Sequence, residues 1–281
     1  MLEPVIKCCG SKRTQADEIL KYLPKNTEVY YEPFLGGASV LRRLLTMNTN
    51  IKKYVASDVN SDLIGLYQIL KNDPKLVIDY YTKLWKQYNS KGNNYNYRKE
   101  FFESVRDKFN KEHNPLDFMF IMRTTTNGMP RYNSNGAFNS SCHFSRPGIN
   151  PETFKTIIYD WNNLSNLYDV EFRCCDYNSI EPSKNDFCYL DHPYAHTNGI
   201  YFGAIDLDTL WNYLRNLKCK WVLSFDGKKG NIDNTYDVPT DLYSEHKYLL
   251  SGTNSNFRSI SKNNTKLEKS VVYESIYISK D

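Results

Sequence analysis

Asp191-His192-Pro193-Tyr194 follows directly on the apolar run Phe187-Cys188-Tyr189-Leu190. This order delivers a carboxylate, an imino acid and an aromatic ring together at the carboxyl end of a short buried strand. In open α/β sheets that edge is where ligands bind. A carboxylate accepts N–H hydrogen bonds and a ring stacks, so the tetrapeptide suits a planar heterocycle bearing an amino group. Asp and Pro are also common turn residues, and an ordinary strand exit has the same composition.

A second segment adds to this one. Val29-Tyr30-Tyr31 reads as a strand, Glu32-Pro33-Phe34-Leu35-Gly36-Gly37-Ala38-Ser39 as a glycine turn, and Val40 to Met47 as a helix. Strand, glycine turn and helix form the layout in which backbone N–H groups approach a nucleotide-like ligand. The G-x-G-x-x-G dinucleotide pattern is lacking, which disfavours NAD and FAD. Tyr54-Val55-Ala56-Ser57-Asp58 reads as a further strand ending in an acid, placed to accept hydrogen bonds from ribose hydroxyls. Asp58 could instead cap the helix beginning near Asn60; Asp62 is the better cap candidate, which leaves Asp58 for a ligand.

Five runs in order resemble the motif series of Dam-type DNA adenine methyltransferases. They are Lys7-Cys8-Cys9-Gly10-Ser11-Lys12-Arg13, YEPFLGGASV, ASDVNSDLI, the stretch from Arg123 to Asn139, and DHPY. The fourth is similar to the family signature R-x-x-x-N-G-x-x-R-Y-N-x-x-G-x-F-N. The tail from Trp221 to Ile278 resembles the family as well.

The resemblance implies an enzyme that moves a methyl group from S-adenosyl-L-methionine to the exocyclic amino nitrogen of a flipped-out adenine, leaving S-adenosyl-L-homocysteine and using no metal. It assigns catalysis to Asp191, His192, Pro193 and Tyr194: the acid and the His192 carbonyl accept the amine hydrogens, and Tyr194 stacks on the base. It implies cofactor contacts from Cys8, Lys12, Glu32, Phe34, Gly36, Asp58, Asp176, Tyr177 and Asp191. DNA contacts fall on Lys7, Asn127, Met129, Arg131 and Tyr132, while Arg123 and Asn139 pin the loop through hydrogen bonds to backbone. His192 stands where the family has proline, and Cys8 where it has an aromatic residue; the carbonyl of residue 192 survives the change. The alternatives are a cytosine amino-nitrogen methyltransferase, disfavoured because such enzymes carry Ser where this chain has Asp191, and a catalytically impaired DNA- or cofactor-binding relative. Implied partners are double-stranded DNA and a restriction endonuclease acting on the same site, with the chain a monomer or weak dimer.

The elements that must hold these residues are those of an α/β protein. Strands are expected at Glu171–Asp176, Phe187–Leu190, Lys220–Phe225 and Val271–Ile278, and a helix over Leu207–Leu217 capped by Asp206. Residues 66–165 are richer in helix signals, at Lys75–Tyr88 and Tyr97–Glu112, with a Gly/Asn/Ser-rich loop from Thr124 to Pro151 of a length that is usually functional. The expected fold is a Rossmann-like mixed-sheet methyltransferase core over 1–65 and 166–281, with an inserted, mainly helical target-recognition domain over 66–165.

The 281 residues suffice for one large core and a smaller module. A formal charge of +4 permits nucleic acid without demanding it. No apolar run spans a bilayer and no signal peptide opens the chain, so a cytoplasmic site and no membrane partner are expected. The seven cysteines include the adjacent pairs Cys8-Cys9 and Cys174-Cys175 and no C-x-x-C, the pattern of reduced thiols rather than a zinc site. Cys188, inside a strand, is expected to pack in the core.

Overall fold

The computed structural model describes residues 2–8, 10–192, 205–255 and 269–280. Its centre is a single mixed sheet in the order β3-β2-β1-β4-β5-β8-β7. The strands are β1 (Val29–Glu32), β2 (Lys53–Asp58), β3 (Val170–Cys174), β4 (Phe187–Leu190), β5 (Lys220–Lys229), a short β6 (Ile232–Asp233) paired to β5, β7 (Tyr243–Ser255) and β8 (Lys269–Ser279). The first five strands of the order run parallel. β8 then lies antiparallel between β5 and β7. The chain moves outward from β1 through β2 to β3 and returns to the other side of β1 with β4. The strand order therefore reverses between β1 and β4, at Tyr30 opposite Phe187 and Tyr31 opposite Cys188. This is the switch point where α/β sheets open a crevice.

The period-two alternation of the strands assigns residues to the two faces of the sheet. Tyr30, Tyr54, Phe172, Phe187, Tyr189, Val222, Ile276 and Ile278 join one buried cluster. Cys188, Leu190, Trp221, Leu223, Phe225 and Tyr277 join a second, against Leu210, Trp211 and Leu214 of α8 (Leu207–Asn216). The first face is covered by helices α1 (Ala16–Ile19), α2 (Ser39–Leu44), α3 (Ser61–Asn72), α4 (Pro74–Tyr88), α5 (Tyr95–Glu112), α6 (Pro115–Thr124) and α7 (Pro151–Leu167). Their buried residues and those of the sheet form one continuous cluster. α3 leans on β2 and β3 and is in turn touched by α4, α6 and α7. At one crossing Gly65 lies so close to Pro115 that a Cβ would come within 2.8 Å of its ring.

Helix starts follow side-chain capping. Asp73, Asn94, Asn114, Asn150 and Asp206 each accept a backbone N–H at the first turn of α4, α5, α6, α7 and α8. The start of α3 corrects an expectation. Asn60, not Asp62, is the cap: its backbone is extended and its side-chain oxygen accepts the N–H groups of Asp62 and Leu63. The chain turns helical at Ser61, so Asp62 is already inside the helix, buried and 3.1 Å from His113 Nδ1. The strand β7 was not expected; it is the sheet edge, and its polar, part-exposed sequence lacks the alternation that marks a half-buried strand. Among the described residues no helix is long and apolar enough to cross a membrane.

The first cluster is sewn to the amino-terminal segment by Trp161. This indole is fully buried, tilts against Tyr67 at 5.3 Å, and donates its Nε1–H to the Glu3 carbonyl at 2.8 Å. Trp161→Ala should cost about 3–5 kcal/mol of unfolding free energy, read from urea denaturation midpoints.

Candidate active site at the carboxyl edge of the sheet

Each parallel strand around the switch point ends in or just before an acid. β1 ends at Glu32, β2 at Asp58, β3 two residues before Asp176, and β4 one residue before Asp191. Parallel register puts these ends side by side, with Glu32 paired to Ala56 and Asp58 to Cys174. They border a cavity of about 540 Å³. Every residue expected at the cofactor lines it: Cys8, Lys12, Glu32, Phe34, Gly36, Asp58, Asp176, Tyr177 and Asp191. His192 and Met129 line it too. Pro193 and Tyr194 lie outside the described residues. Sequence reading missed the apolar wall of Ile6, Leu63, Phe118 and Met122, and the residues Ile205, Asp206 and Thr209. Leu63, Phe118 and Met122 come from helices whose inward spacing looks like any core face, and Ile6 from the amino-terminal segment.

The glycine turn is tied down on both sides. The Leu35 N–H reaches the Ser57 carbonyl at 2.9 Å, and Gly36 adopts a left-handed φ of +46°. A Cβ on Gly37 would stand 3.0 Å from the Cys8 Cβ, so the amino-terminal segment closes on the turn at this point. Asp58 Oδ2 accepts the Gly36 N–H at 3.1 Å and Oδ1 the Asn60 N–H at 3.0 Å. Burial raises the Asp58 pKa against these hydrogen bonds. Phe34 and Tyr177 form an aromatic pair at 5.1 Å beside Asp176, whose Oδ1 accepts the Asn178 N–H.

Lys12 has a more specific place than a general cofactor contact. Its ammonium is 3% exposed and 2.7 Å from Asp191 Oδ1, with Glu274 Oε2 at 3.3 Å. Burial works against the charge, but the Asp191 and Glu274 carboxylates outweigh it and hold the Lys12 pKa above its ordinary range. Glu274 lies on β8 and was not singled out by any motif. His192 is 2% exposed, its ring 4.1 Å from Phe225 and 6.2 Å from Phe34. The imidazole thus serves as an aromatic packing group at the strand exit, which fixes the backbone carrying its carbonyl.

The loop from Thr125 to Cys142 folds back on itself. Bridges at Thr125–Cys142 and Tyr132–Phe138 close it, and Ser140 Oγ donates to the Met129 carbonyl and accepts the Arg131 N–H. The tip is a turn in which Asn133 Oδ1 accepts the N–H groups of Asn135 and Ala137. Asn127 and Arg131 are exposed and Met129 half-buried against the cavity. Tyr132 turns inward, edge-on to Phe138 at 5.5 Å. Burial, ahead of the Asp62 charge, raises its pKa. Asn127 and Gly128 both take left-handed φ, and a Cβ on Gly128 would come within 2.7 Å of the Lys7 Cβ. The loop base therefore sits on Lys7, whose pKa is lowered by burial and by the Arg146 and Arg123 charges. Arg123 bonds the Pro4 and Val5 carbonyls, so it pins the amino-terminal segment rather than the loop. Asn139 pairs with the loop through its backbone N–H to the Arg131 carbonyl. Among the described residues no group of three His, Cys, Asp or Glu converges to hold a metal ion.

Glu32 offers a test of this electrostatic picture. Burial, with the Asp191 charge adding to it, pushes its carboxyl up to about 8, against the hydrogen bond donated by Tyr30 O–H at 2.6 Å. The folded protein then holds a proton that the unfolded chain releases from about pH 4.5, so this contribution to stability is full below that value and lost as pH rises through about 8. Glu32→Gln should gain stability relative to the native protein between about pH 5 and about pH 8 in urea unfolding. A difference that stays constant over that range would contradict a buried, neutral Glu32.

Comparison with known proteins gives the family of the chain. The family described as D12 class N6 adenine-specific DNA methyltransferase matches residues 9–269. The type II methyltransferase M.MjaIII of Methanocaldococcus jannaschii is 34% identical over 215 residues, covering 70% of this chain and 71% of that protein. The DNA adenine methylase of Vibrio cholerae is 33% identical over 196 residues, covering 68% of this chain and 64% of that protein. The DNA N-6-adenine-methyltransferase of Escherichia phage P1 is 26% identical over 201 residues, covering 68% of this chain and 24% of that protein. A sheet whose parallel strand ends gather acids around one cavity, and a match over nearly the whole length, make this chain a member of the D12 class of N6 adenine-specific DNA methyltransferases.

Proposed function

We propose that the cavity binds S-adenosyl-L-methionine beside a flipped-out adenine, and that Asp191 and the His192 carbonyl accept the two hydrogens of the adenine amine. The observation that carries this reading is Asp191, at the switch-point strand end, opening into a cavity that also holds the glycine turn and Asp58. The lining fits an adenosyl sulfonium. Phe34 and Tyr177 suit a flat ring, Asp58 suits ribose hydroxyls, and among the described lining residues the acids Asp58, Asp176, Asp191 and Asp206 outnumber the cation Lys12. When bound, the donor supplies a methyl group already activated by its positive sulfur.

The residues of this chain then have placement and charge to provide. The amine lone pair is delocalised into the base and nucleophilic only when the nitrogen is drawn towards tetrahedral geometry. Two acceptors in fixed positions do this and stabilise the positive charge that grows on nitrogen. Holding the reactants in line lowers the barrier further through proximity. Tyr194 is assigned the stacking role, a contact worth about 1–3 kcal/mol in nucleic-acid sites. Because the amine is inside the duplex, the nucleotide must leave the stack before transfer.

Residues 66–165 are assigned to target recognition, and 1–65 with 166–281 to donor binding and catalysis. Within the folded-back loop, exposed Asn127 and Arg131 present edge-reading groups, and Met129 spans loop and cavity as a wedge between bases. Lys7, crowded by Arg123 and Arg146, is relieved by an anion and is assigned to phosphate. A restriction endonuclease cutting the same site is the partner class added by the likeness to a type II methyltransferase.

Asp191→Asn should lower single-turnover methyl transfer to unmethylated DNA at least about a hundredfold while S-adenosyl-L-homocysteine binding, read by calorimetry, is largely kept. Native-like transfer by that variant would remove Asp191 from the chemistry. Arg131→Ala should lose about 1–3 kcal/mol of discrimination at one base pair, seen as relaxed sequence preference in mapped methylation. An unchanged preference would rule out its reading a base.

A further inference from the structure

Lys12, Asp191 and Glu274 form a buried ionic group in which the ammonium is shared: 2.7 Å to Asp191 Oδ1 and 3.3 Å to Glu274 Oε2. Glu274 stands on β8, in the antiparallel part of the sheet. It is itself held in place. Gln15 Nε2 donates to Oε2 at 3.2 Å, and Ser251 Oγ donates to Oε1 at 3.2 Å. Three donors from two segments, residues 12–15 and β7, leave this carboxylate little freedom. Glu32 and Tyr189 are the other titratable groups that bear on this cluster from the parallel strands.

An ammonium buried with one carboxylate collapses onto it; with a second, fixed carboxylate it is held between the two. We infer that Glu274 is a positioning residue for methyl transfer, anchoring Lys12 so that its ammonium orients the Asp191 carboxylate at the strand exit without neutralising the group. Charge count supports the same arrangement. Lys12 with both carboxylates carries one net negative charge, whereas Lys12 with Asp191 alone is neutral. Only the first favours an amine that becomes cationic as it is alkylated. The inference rests on the reading of Asp191 as the acceptor of the amine.

The test compares Glu274→Gln and Glu274→Asp with the native protein in three measurements: single-turnover methyl transfer to unmethylated DNA, S-adenosyl-L-homocysteine binding, and duplex binding. Glu274→Gln should slow transfer by about tenfold or more with both affinities kept within about twofold, and Glu274→Asp, which keeps the charge, should recover part of the rate. A native rate in Glu274→Gln, or a rate loss matched by an equal loss of S-adenosyl-L-homocysteine affinity, would overturn the inference. So would a change confined to the thermal midpoint with the rate per folded molecule unaltered. If Glu274→Gln does not fold, the Asp variant decides alone: a shorter side chain should still slow transfer relative to native, and a native rate overturns the proposal. Absence of transfer by the native protein itself would instead defeat the reading of the site, which separates the two failures.

Discussion

The pairing of β1 with β4 is the constraint on which the rest of the molecule depends. Two parallel strands placed side by side from opposite directions of chain progress leave their crossover segments on diverging paths, and a crevice opens at their carboxyl ends. Only there can Glu32 and Asp191, far apart in sequence, line one cavity. All four β4 residues are buried, so the strand cannot slip without exposing a face of Phe187–Leu190 or moving Asp191 out of the crevice.

Concentrating carboxylates in a partly dry space is costly, because burial disfavours each charge and neighbours repel. Three acids are accommodated in three ways. Glu32 stays largely protonated near neutral pH and accepts the Tyr30 hydroxyl hydrogen. Asp58 accepts two backbone N–H groups from the glycine turn and the α3 cap. Asp191 has a buried ammonium, itself shared with Glu274. The cavity is thus neither uniformly anionic nor neutral; its charge is resolved by position.

The loop from Thr125 to Cys142 is joined to the same cavity rather than hung beside it. Met129 and Pro130 are part of the cavity wall, Gly128 rests on Lys7, and Tyr132 packs inward near the Asn60–Asp62 start of α3. Asn110 of α5 brackets Phe138 from both sides, donating to its carbonyl and accepting its N–H. Contacts of this kind hold a glycine-rich segment in one shape without regular secondary structure.

Much of this was legible in the chain itself. Short apolar runs ending in acids marked β1, β2 and β4, and Asp206 before an amphipathic run marked α8, because both signals are local: period, polarity and one capping side chain. The order of motifs pointed to the glycine turn and the Asp191 strand exit, which the structure brings to one cavity. The edge strand β7 was silent, since a strand with one partner and exposed faces needs no apolar alternation. The cap of α3 was misread because Asn60 and Asp62 have equal cap chemistry, and only backbone path separates them. The partnership of Lys12 with Glu274 joins residues at opposite ends of the chain. Residue types and spacing along the chain determined which groups could bind and react. Which of them share a proton, a charge or a wall was decided by strand register and burial, which act through space and leave no local mark in sequence.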